Sequence, residues 1–310
     1  KANQYDEIIM PSYTFVSTAN AFVLRGAKPV FVDIRKDNLN IDERLIERAI
    51  TKKTKAIVVV HYAGIPCEMD VIKKIAKRNN LIIIEDAAQA IFSQYKNKFC
   101  GTIGDIGCFS FHETKNISSC EGGALILNKK KYFKNASIIS NKGTNREEFL
   151  NNSKKFYSWV GLGSSHIPSE ITCSILYNQL INYKKIIKFR KKLWNNYYNN
   201  LKNISTNLIR QTYLPKKDIV QNHHSYYLIY KNKKMRNSLI KRLKLRGIMS
   251  VFHYIPLHQS TAAKHFSKKK HSLNVTEDLS KKILRLPLWQ GMDQGAIIQS
   301  VKNILSSEDI

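Results

Sequence analysis

The sequence predicts an α/β protein: a three-layer large domain built on a mostly parallel sheet, spanning 1–188, followed by a connecting helix and a smaller α+β domain over 189–310. The first half alternates short β-rich runs with helix-compatible stretches, the rhythm of βαβ units. A long helical pattern near the middle follows, and that rhythm is absent beyond it. With 310 residues, the chain is long enough for one large domain and a smaller companion.

Taken in order, the candidate strands are Glu7 to Met10, Pro29 to Val32, Ala56 to His61, Leu81 to Glu85, Gly107 to Phe111 and Ala124 to Leu127. Ser17 to Arg25, Asp42 to Ala49 and Glu68 to Arg78 are helix-compatible and fall between them. The last two strands are too close for a crossover helix, so the polar connector Glu113 to Gly123 must serve another purpose. From Ile171 to Leu201 apolar residues recur at Ile175, Leu176, Leu180, Ile186, Ile187 and Leu193, interleaved with lysines, as one long helix. Beyond Ile204, Tyr226 to Tyr230 and Ser250 to Tyr254 read as strands, and Met235 to Leu245 and Gln294 to Leu305 as helices.

Composition narrows the function. Hydrophobic residues make up 43%, and no apolar run approaches the roughly 18 to 20 residues needed to span a bilayer. No charged leader precedes an apolar stretch, so a cytoplasmic protein without membrane insertion is expected. The five cysteines, Cys67, Cys100, Cys108, Cys120 and Cys173, have no Cys-x-x-Cys spacing and no histidines at metal-ligand intervals. Reduced thiols and no metal are expected. The 51 Lys and Arg against 23 Asp and Glu give a formal charge of +28. These residues are scattered, as in Lys52-Lys53, Lys129-Lys130-Lys131 and Lys268-Lys269-Lys270, and no nucleic-acid-binding signature accompanies them. Lys, Asn and Ile all have AT-rich codons, so compositional drift competes with selection, and nucleic acid is not the expected partner. A positive field would also attract a nucleotide-linked substrate.

The chemistry concentrates at two strand ends. Leu81 to Glu85 runs into Asp86-Ala87-Ala88-Gln89, which puts a carboxylate at the carboxyl end of a buried parallel strand, where α/β sheets bind ligands. Taken alone, Asp86 reads better as a helix N-cap. At a second strand end stands Ser110-Phe111-His112-Glu113-Thr114-Lys115-Asn116, followed by Glu121-Gly122-Gly123. One lysine among so many carries little weight until it is joined to the rest.

Jointly, Asp86 with Gln89, Gly101-Thr102-Ile103-Gly104-Asp105, Cys108-Phe109-Ser110-Phe111-His112, Lys115 and Glu121-Gly122-Gly123 resemble, in order and residue, the DegT/DnrJ/EryC1 sugar aminotransferases. The resemblance extends to Pro11 to Asn20, Gly163-Ser164-Ser165, Phe252 to His258 and Leu284 to Leu288, and so covers essentially the whole chain. It implies a fold-type-I aminotransferase that uses pyridoxal 5'-phosphate (PLP) and works as a homodimer. By that likeness Lys115 carries the cofactor, Asp86 pairs with the pyridine nitrogen and Gln89 lies near the phenolic oxygen. Ser110 binds phosphate, Phe15 stacks on the ring and Ser165 stands where the family usually has an Asn reaching the partner's phosphate. Each role has a chemical need. A buried carboxylate favours a protonated pyridine as electron sink, and the lysine must lose its proton to attack an aldehyde.

Within the family, Phe111 to Asn116, Lys142 to Arg146, His61 to Gly64 and Val251 to His258 are most similar to enzymes of enterobacterial common antigen synthesis. Those transfer an amino group from L-glutamate to C4 of dTDP-4-dehydro-6-deoxyglucose, so a nucleotide-sugar and L-glutamate are the implied substrates. Sugar-dehydrating relatives carry histidine in place of the lysine, and Lys115 argues against that chemistry. Three departures stand out. Cys120 replaces the glycine usual before Glu-Gly-Gly, which strains the loop if that position has positive φ. Ser165 is shorter than Asn. The family also normally has some tens of residues before Asp6 to Ser12, including a helix whose N-terminus grips the phosphate, and the chain opens on Lys1. A fragment is therefore expected. By itself it should bind PLP poorly, or be a non-catalytic remnant that binds at most a nucleotide-sugar or partner subunit.

Overall fold

The computed structural model describes residues 3–202, 209–267 and 272–306. Lys1, Ile204, the Lys268-Lys269-Lys270 run and Ile310, named above, lie outside them. In chain order the elements are β1 (Glu7–Pro11), α1 (Val16–Val23), β2 (Lys28–Val32), β3 (Thr54–Val60), α2 (Met69–Arg78), β4 (Ile82–Asp86), β5 (Gln94–Tyr95), β6 (Lys98–Phe99), β7 (Ile106–Ser110) and β8 (Gly123–Leu127). Then come α3 (Phe133–Ser140), α4 (Arg146–Leu150), α5 (Glu170–Ile181), α6 (Tyr183–Leu201), β9 (Ile209–Gln211), β10 (Ile219–Val220), β11 (Tyr226–Tyr230), α7 (Lys233–Lys244), α8 (Thr261–Phe266), α9 (Asn274–Ser280), β12 (Ile283–Leu286) and α10 (Gln294–Ser306).

A six-stranded sheet of order β2-β1-β3-β4-β7-β8 organises the first half. Its strands are parallel except β8, which returns antiparallel to β7 with Ser110 opposite Gly123. Successive side chains point to opposite faces of a strand, and both faces here are apolar because both are covered. Ile9, Val30, Ile57, Val59 and Ile83 pack with α2 residues Ile72 and Ile75 on one face. Ile8, Met10, Phe31, Val58 and Ile84 pack with Ala19 and Phe22 of α1 and with Leu257 and Leu273 on the other.

The second half is built on a small antiparallel sheet of order β12-β11-β9. Its core unites Trp194, Tyr197 and Leu201 of α6, Leu239 and Leu243 of α7, and Val301 and Ile304 of α10. A third cluster joins the halves: Tyr13, Ile34, Tyr62 and Ile65 pack with Tyr227, Ile229 and Ile283. A further sheet pairs the β5/β6 hairpin with β10, so the chain beyond α6 also returns to the first half.

Three expectations are corrected. The stretch 42–49 is two 3-10 turns, Glu43–Leu45 and Glu47–Ala49. Asp42 caps the first by accepting from the Arg44 N–H, and the three-residue spacing of buried Ile46 and Ala49 fits a 3-10 repeat. The long helix over 171–201 is two helices divided at Asn182, whose φ and ψ of −97° and 6° are not helical. The stretch 250–254 is not a strand. Among the described residues only Val251 pairs, with Arg285, and Tyr254 then takes the left-handed φ of 68°, which turns the chain out of extension.

Candidate active site

Strand alternation places the two acids at the end of β4 on opposite faces. Glu85 points toward the α2 side, where it is fully buried. It accepts from His61 Nε2 at 2.9 Å and from the N–H groups of Gly101, Ile103 and Gly104 at 2.8, 2.6 and 2.5 Å. The Gly-Thr-Ile-Gly segment thus wraps a carboxylate. Asp86 points to the α1 side, where Thr18 Oγ1 donates to its Oδ2 at 2.6 Å and the Ala88 N–H to its Oδ1 at 3.1 Å. Thr18 is in turn hydrogen-bonded to Thr14 at 2.8 Å.

Lys115 sits on the β7 to β8 connector. That loop satisfies its own backbone: Phe111 N–H donates to Gly122 O, Glu113 N–H to Cys120 O, and Lys115 N–H to His112 O. Asn116 anchors it to the second half, donating to Asn222 O at 2.9 Å and bonding His224 Nδ1 at 2.9 Å. Cys120 has φ 69°, so the position does require the left-handed conformation that glycine adopts freely. Burial lowers the Lys115 pKa below the ordinary lysine value; the Asp86 carboxylate opposes that shift and Arg285 adds to it. Asp86 and Lys115 therefore lie within each other's field.

Gln89 is buried, accepting from the Ala63 N–H at 2.7 Å and donating to the Tyr254 hydroxyl at 2.8 Å. Phe15, immediately before α1, is 57% exposed, with its ring 6.2 Å from that of Tyr254. Ser110 closes β7 and is only loosely engaged, by the His112 N–H at 3.4 Å. Asp86, Lys115, Gln89 and Phe15 are thus linked directly or through Tyr254. Ser165 is exposed, pairs with Asn141, and lines a separate concavity with Lys142, Arg146 and Tyr157.

Four residues given no role from the sequence belong here: Thr18, His253, Tyr254 and Arg285. All fall inside motifs quoted above. The one available signal was for Thr18, a turn beyond Thr14 at the start of a helix; the other three reach the site only through tertiary packing.

The residues fit a PLP site. The carboxylate at a strand end, a partly desolvated lysine whose Nζ has no partner among the described residues, an exposed aromatic and a loosely engaged serine match what the cofactor needs. Fold and site together define a fold-type-I, PLP-dependent aminotransferase. The DegT/DnrJ/EryC1/StrS aminotransferase family model matches residues 1–305, and the chain belongs to that family. Spore coat polysaccharide biosynthesis protein SpsC of Bacillus subtilis is 32% identical over 98% of this chain and 80% of its own length. GDP-perosamine synthase of Escherichia coli O157:H7 is 29% identical over 96% and 78%. Among solved structures, Spr1654 of Streptococcus pneumoniae in its PMP form superposes with TM-score 0.89 at 25% identity, over 99% of this chain and 83% of that one.

Proposed function

We propose that this aminotransferase moves the amino group of L-glutamate onto C4 of dTDP-4-dehydro-6-deoxy-D-glucose, giving dTDP-4-amino-4,6-dideoxy-D-galactose and 2-oxoglutarate. The observation that carries the reaction type is Lys115 in the field of Asp86, at the carboxyl ends of neighbouring strands. Keto-sugar transamination is supported by the family and by a relative named GDP-perosamine synthase. The dTDP sugar rests on the sequence likeness of Phe111 to Asn116, Lys142 to Arg146 and Val251 to His258.

PLP supplies an electron sink that stabilises negative charge on the carbon losing its proton. The chain supplies the rest. Lys115 Nζ, kept easily deprotonated by burial, would anchor the cofactor and then take the proton from the amine-bearing carbon of the substrate and return it to the cofactor carbon that bears the amine. Asp86, fixed by Thr18 and the Ala88 N–H, holds a proton on the pyridine nitrogen. Ser110 is assigned to phosphate, Phe15 to the ring face and Gln89 to the phenolic oxygen.

The working unit in this proposal is a homodimer, with Ser165 contributing to the partner's site. The chain on either side of Ser165 supports it: Phe156, Trp159, Leu162 and Ile171 are all more than two-thirds exposed, at 78, 77, 72 and 76%, and large apolar side chains left exposed in one stretch of chain are what an interface would cover. We place the division between the two domains near Lys188, because Ile186 packs in a first-half cluster and Trp194 in the second-half core.

The test supplies PLP, glutamate and a 4-keto sugar linked to dTDP, GDP or UDP, and follows 2-oxoglutarate and the amino sugar by mass. Amination of the dTDP sugar is expected, with loss of turnover and of absorbance near ~420 nm, typical of lysine-bound PLP, in Lys115→Ala. Preference for the GDP or UDP sugar would overturn the substrate, and normal turnover by Lys115→Ala would overturn the site.

A further inference from the structure

Helix α7 ends in an exposed turn that transamination does not use. Leu243 is fully buried in the second-half core, and Ile248 packs against that core. Between them the chain doubles back, the Gly247 N–H donating to Lys244 O and the Ile248 N–H to Leu243 O, each at 3.0 Å. Gly247 takes φ 71°, the left-handed conformation that ends a helix. A Cβ added there would meet no atom within 4 Å, so the turn stands clear of the rest of the chain. The backbone is thus pinned at both ends and projects between them.

On this knuckle Leu245 and Met249 are 79 and 80% exposed, more than any apolar side chain of the 156–171 stretch offered above as dimer surface. Lys241, Lys244 and Arg246 beside them are exposed as well, and none of the three makes an ion pair among the described residues. Arg246 reaches only the Arg242 carbonyl, at 3.3 Å. No Asp or Glu occurs between Asp218 and Glu277. Basic side chains in the last turn of a helix complement its dipole, which explains their sign. It does not explain two large apolar side chains held in water among them.

We propose that this knuckle docks the protein on an anionic lipid surface, with Leu245 and Met249 entering the headgroup layer and Lys241, Lys244 and Arg246 meeting the lipid phosphates. Shallow apolar insertion and attraction to anionic headgroups are the two signals that together hold a peripheral protein. The chain lies on the bilayer without crossing it, since no helix among the described residues is long and apolar enough to span one. A protein interface buries about 800 Å² on each partner and seats its anchors in pockets, whereas this is a single convex turn. Nucleic acid would engage the cations but leave Leu245 and Met249 idle, and the turn has no aromatic side chain for a base to stack on. The reading is independent of the substrate proposed above.

The experiment measures co-sedimentation of the protein with vesicles of phosphatidylcholine alone and of phosphatidylcholine mixed with phosphatidylglycerol, at low and physiological salt. Binding is expected to the anionic vesicles only, and it should weaken as salt screens the cations. Leu245→Ser with Met249→Ser leaves the net charge unchanged and should lower the partition coefficient at least about 10-fold. Lys244→Glu with Arg246→Glu should lower it at least about 25-fold, roughly five-fold for each cation removed. Lys52→Glu with Lys53→Glu changes the charge equally at an exposed place in the first half and should cost only a few-fold. Circular dichroism checks that each variant is folded. Equal losses in the two charge variants would reduce the effect to attraction by the overall +28 and overturn the proposal. So would serine variants that bind like wild type, equal binding to neutral vesicles, or none to anionic ones. Leu245→Trp reads the contact directly: brominated lipid should quench the added indole in vesicle-bound protein, and an unquenched indole sinks the proposal. Tighter binding to a DNA duplex, lost with Lys244 and Arg246 but indifferent to Leu245 and Met249, would assign the turn to nucleic acid instead.

Discussion

Replacing Glu85 by Gln removes one charge and almost no volume, yet the structure predicts a large loss of stability. Oε1 accepts from the Ile103 and Gly104 N–H groups, and Oε2 from the Gly101 N–H and His61 Nε2. His61 Nδ1 accepts from the Cys67 N–H at 3.1 Å, so that nitrogen carries no proton. The imidazole is therefore neutral with its proton on Nε2. A carboxamide can satisfy one pair of donors with its oxygen, but its NH2 then meets the other pair head-on, and flipping it only moves the conflict. Two buried donors left unsatisfied at ~1–3 kcal/mol each amount to about 2 to 6 kcal/mol, a large part of the ~5–15 kcal/mol by which a domain is stable.

The assay is urea unfolding of both proteins, followed by circular dichroism at pH 7. The effect is tied to pH. Burial alone would raise the Glu85 pKa, but the His61 hydrogen bond and the backbone N–H groups outweigh it and hold the carboxyl below its usual range. Stability from a depressed carboxyl is present above the unfolded pKa and lost as pH falls through the folded one. The gap between wild type and Glu85→Gln should therefore be full at pH 7 and narrow below about pH 4. A difference under ~0.5 kcal/mol at pH 7, the usual size for an inconsequential surface change, would refute the reasoning.

Two further outcomes follow from the connector. Because burial lowers the Lys115 pKa while Asp86 opposes the shift, capture of PLP should quicken with pH and level off below the ~10.4 of an exposed lysine. Asp86→Asn should move that midpoint lower still. Absorbance near ~420 nm, followed from acid to alkaline pH, checks both, and a midpoint at or above the free-lysine value would be incompatible with a desolvated amine. Cys120→Gly should stabilise the protein by about 0.5–1 kcal/mol: at φ 69° it relieves a left-handed penalty of ~1–2 kcal/mol, offset by ~0.4–1 kcal/mol of extra unfolded-state entropy. Thermal unfolding reads the difference, and a destabilised glycine variant would show that the cysteine side chain contributes packing that outweighs the strain.

The sequence by itself determined the large sheet and pointed to the candidate chemical centre. Its strands are short, nearly continuous apolar runs set between helix-compatible stretches, a local pattern that marks strands covered on both faces. The family signature, from Asp86 through Lys115 to Glu121-Gly122-Gly123, is likewise a matter of residue order, legible without coordinates. It even flagged Cys120, whose left-handed φ the structure shows. What the tertiary structure decided are features that depend on residues far apart in the chain. The β5/β6 hairpin is too short for any periodic signal and is completed by β10. The stretch 250–254 has strand composition but a partner only at Val251. Nothing within 171–201 requires a break at Asn182, where Tyr183 stacks on Phe92, from the middle of the first half, at 4.2 Å. The environment of Arg285 had to wait for folding as well. His253, which bonds it, and Lys115, which lies in its field, come from two separate segments, and a local pattern carries no information about which distant side chains will share one dielectric.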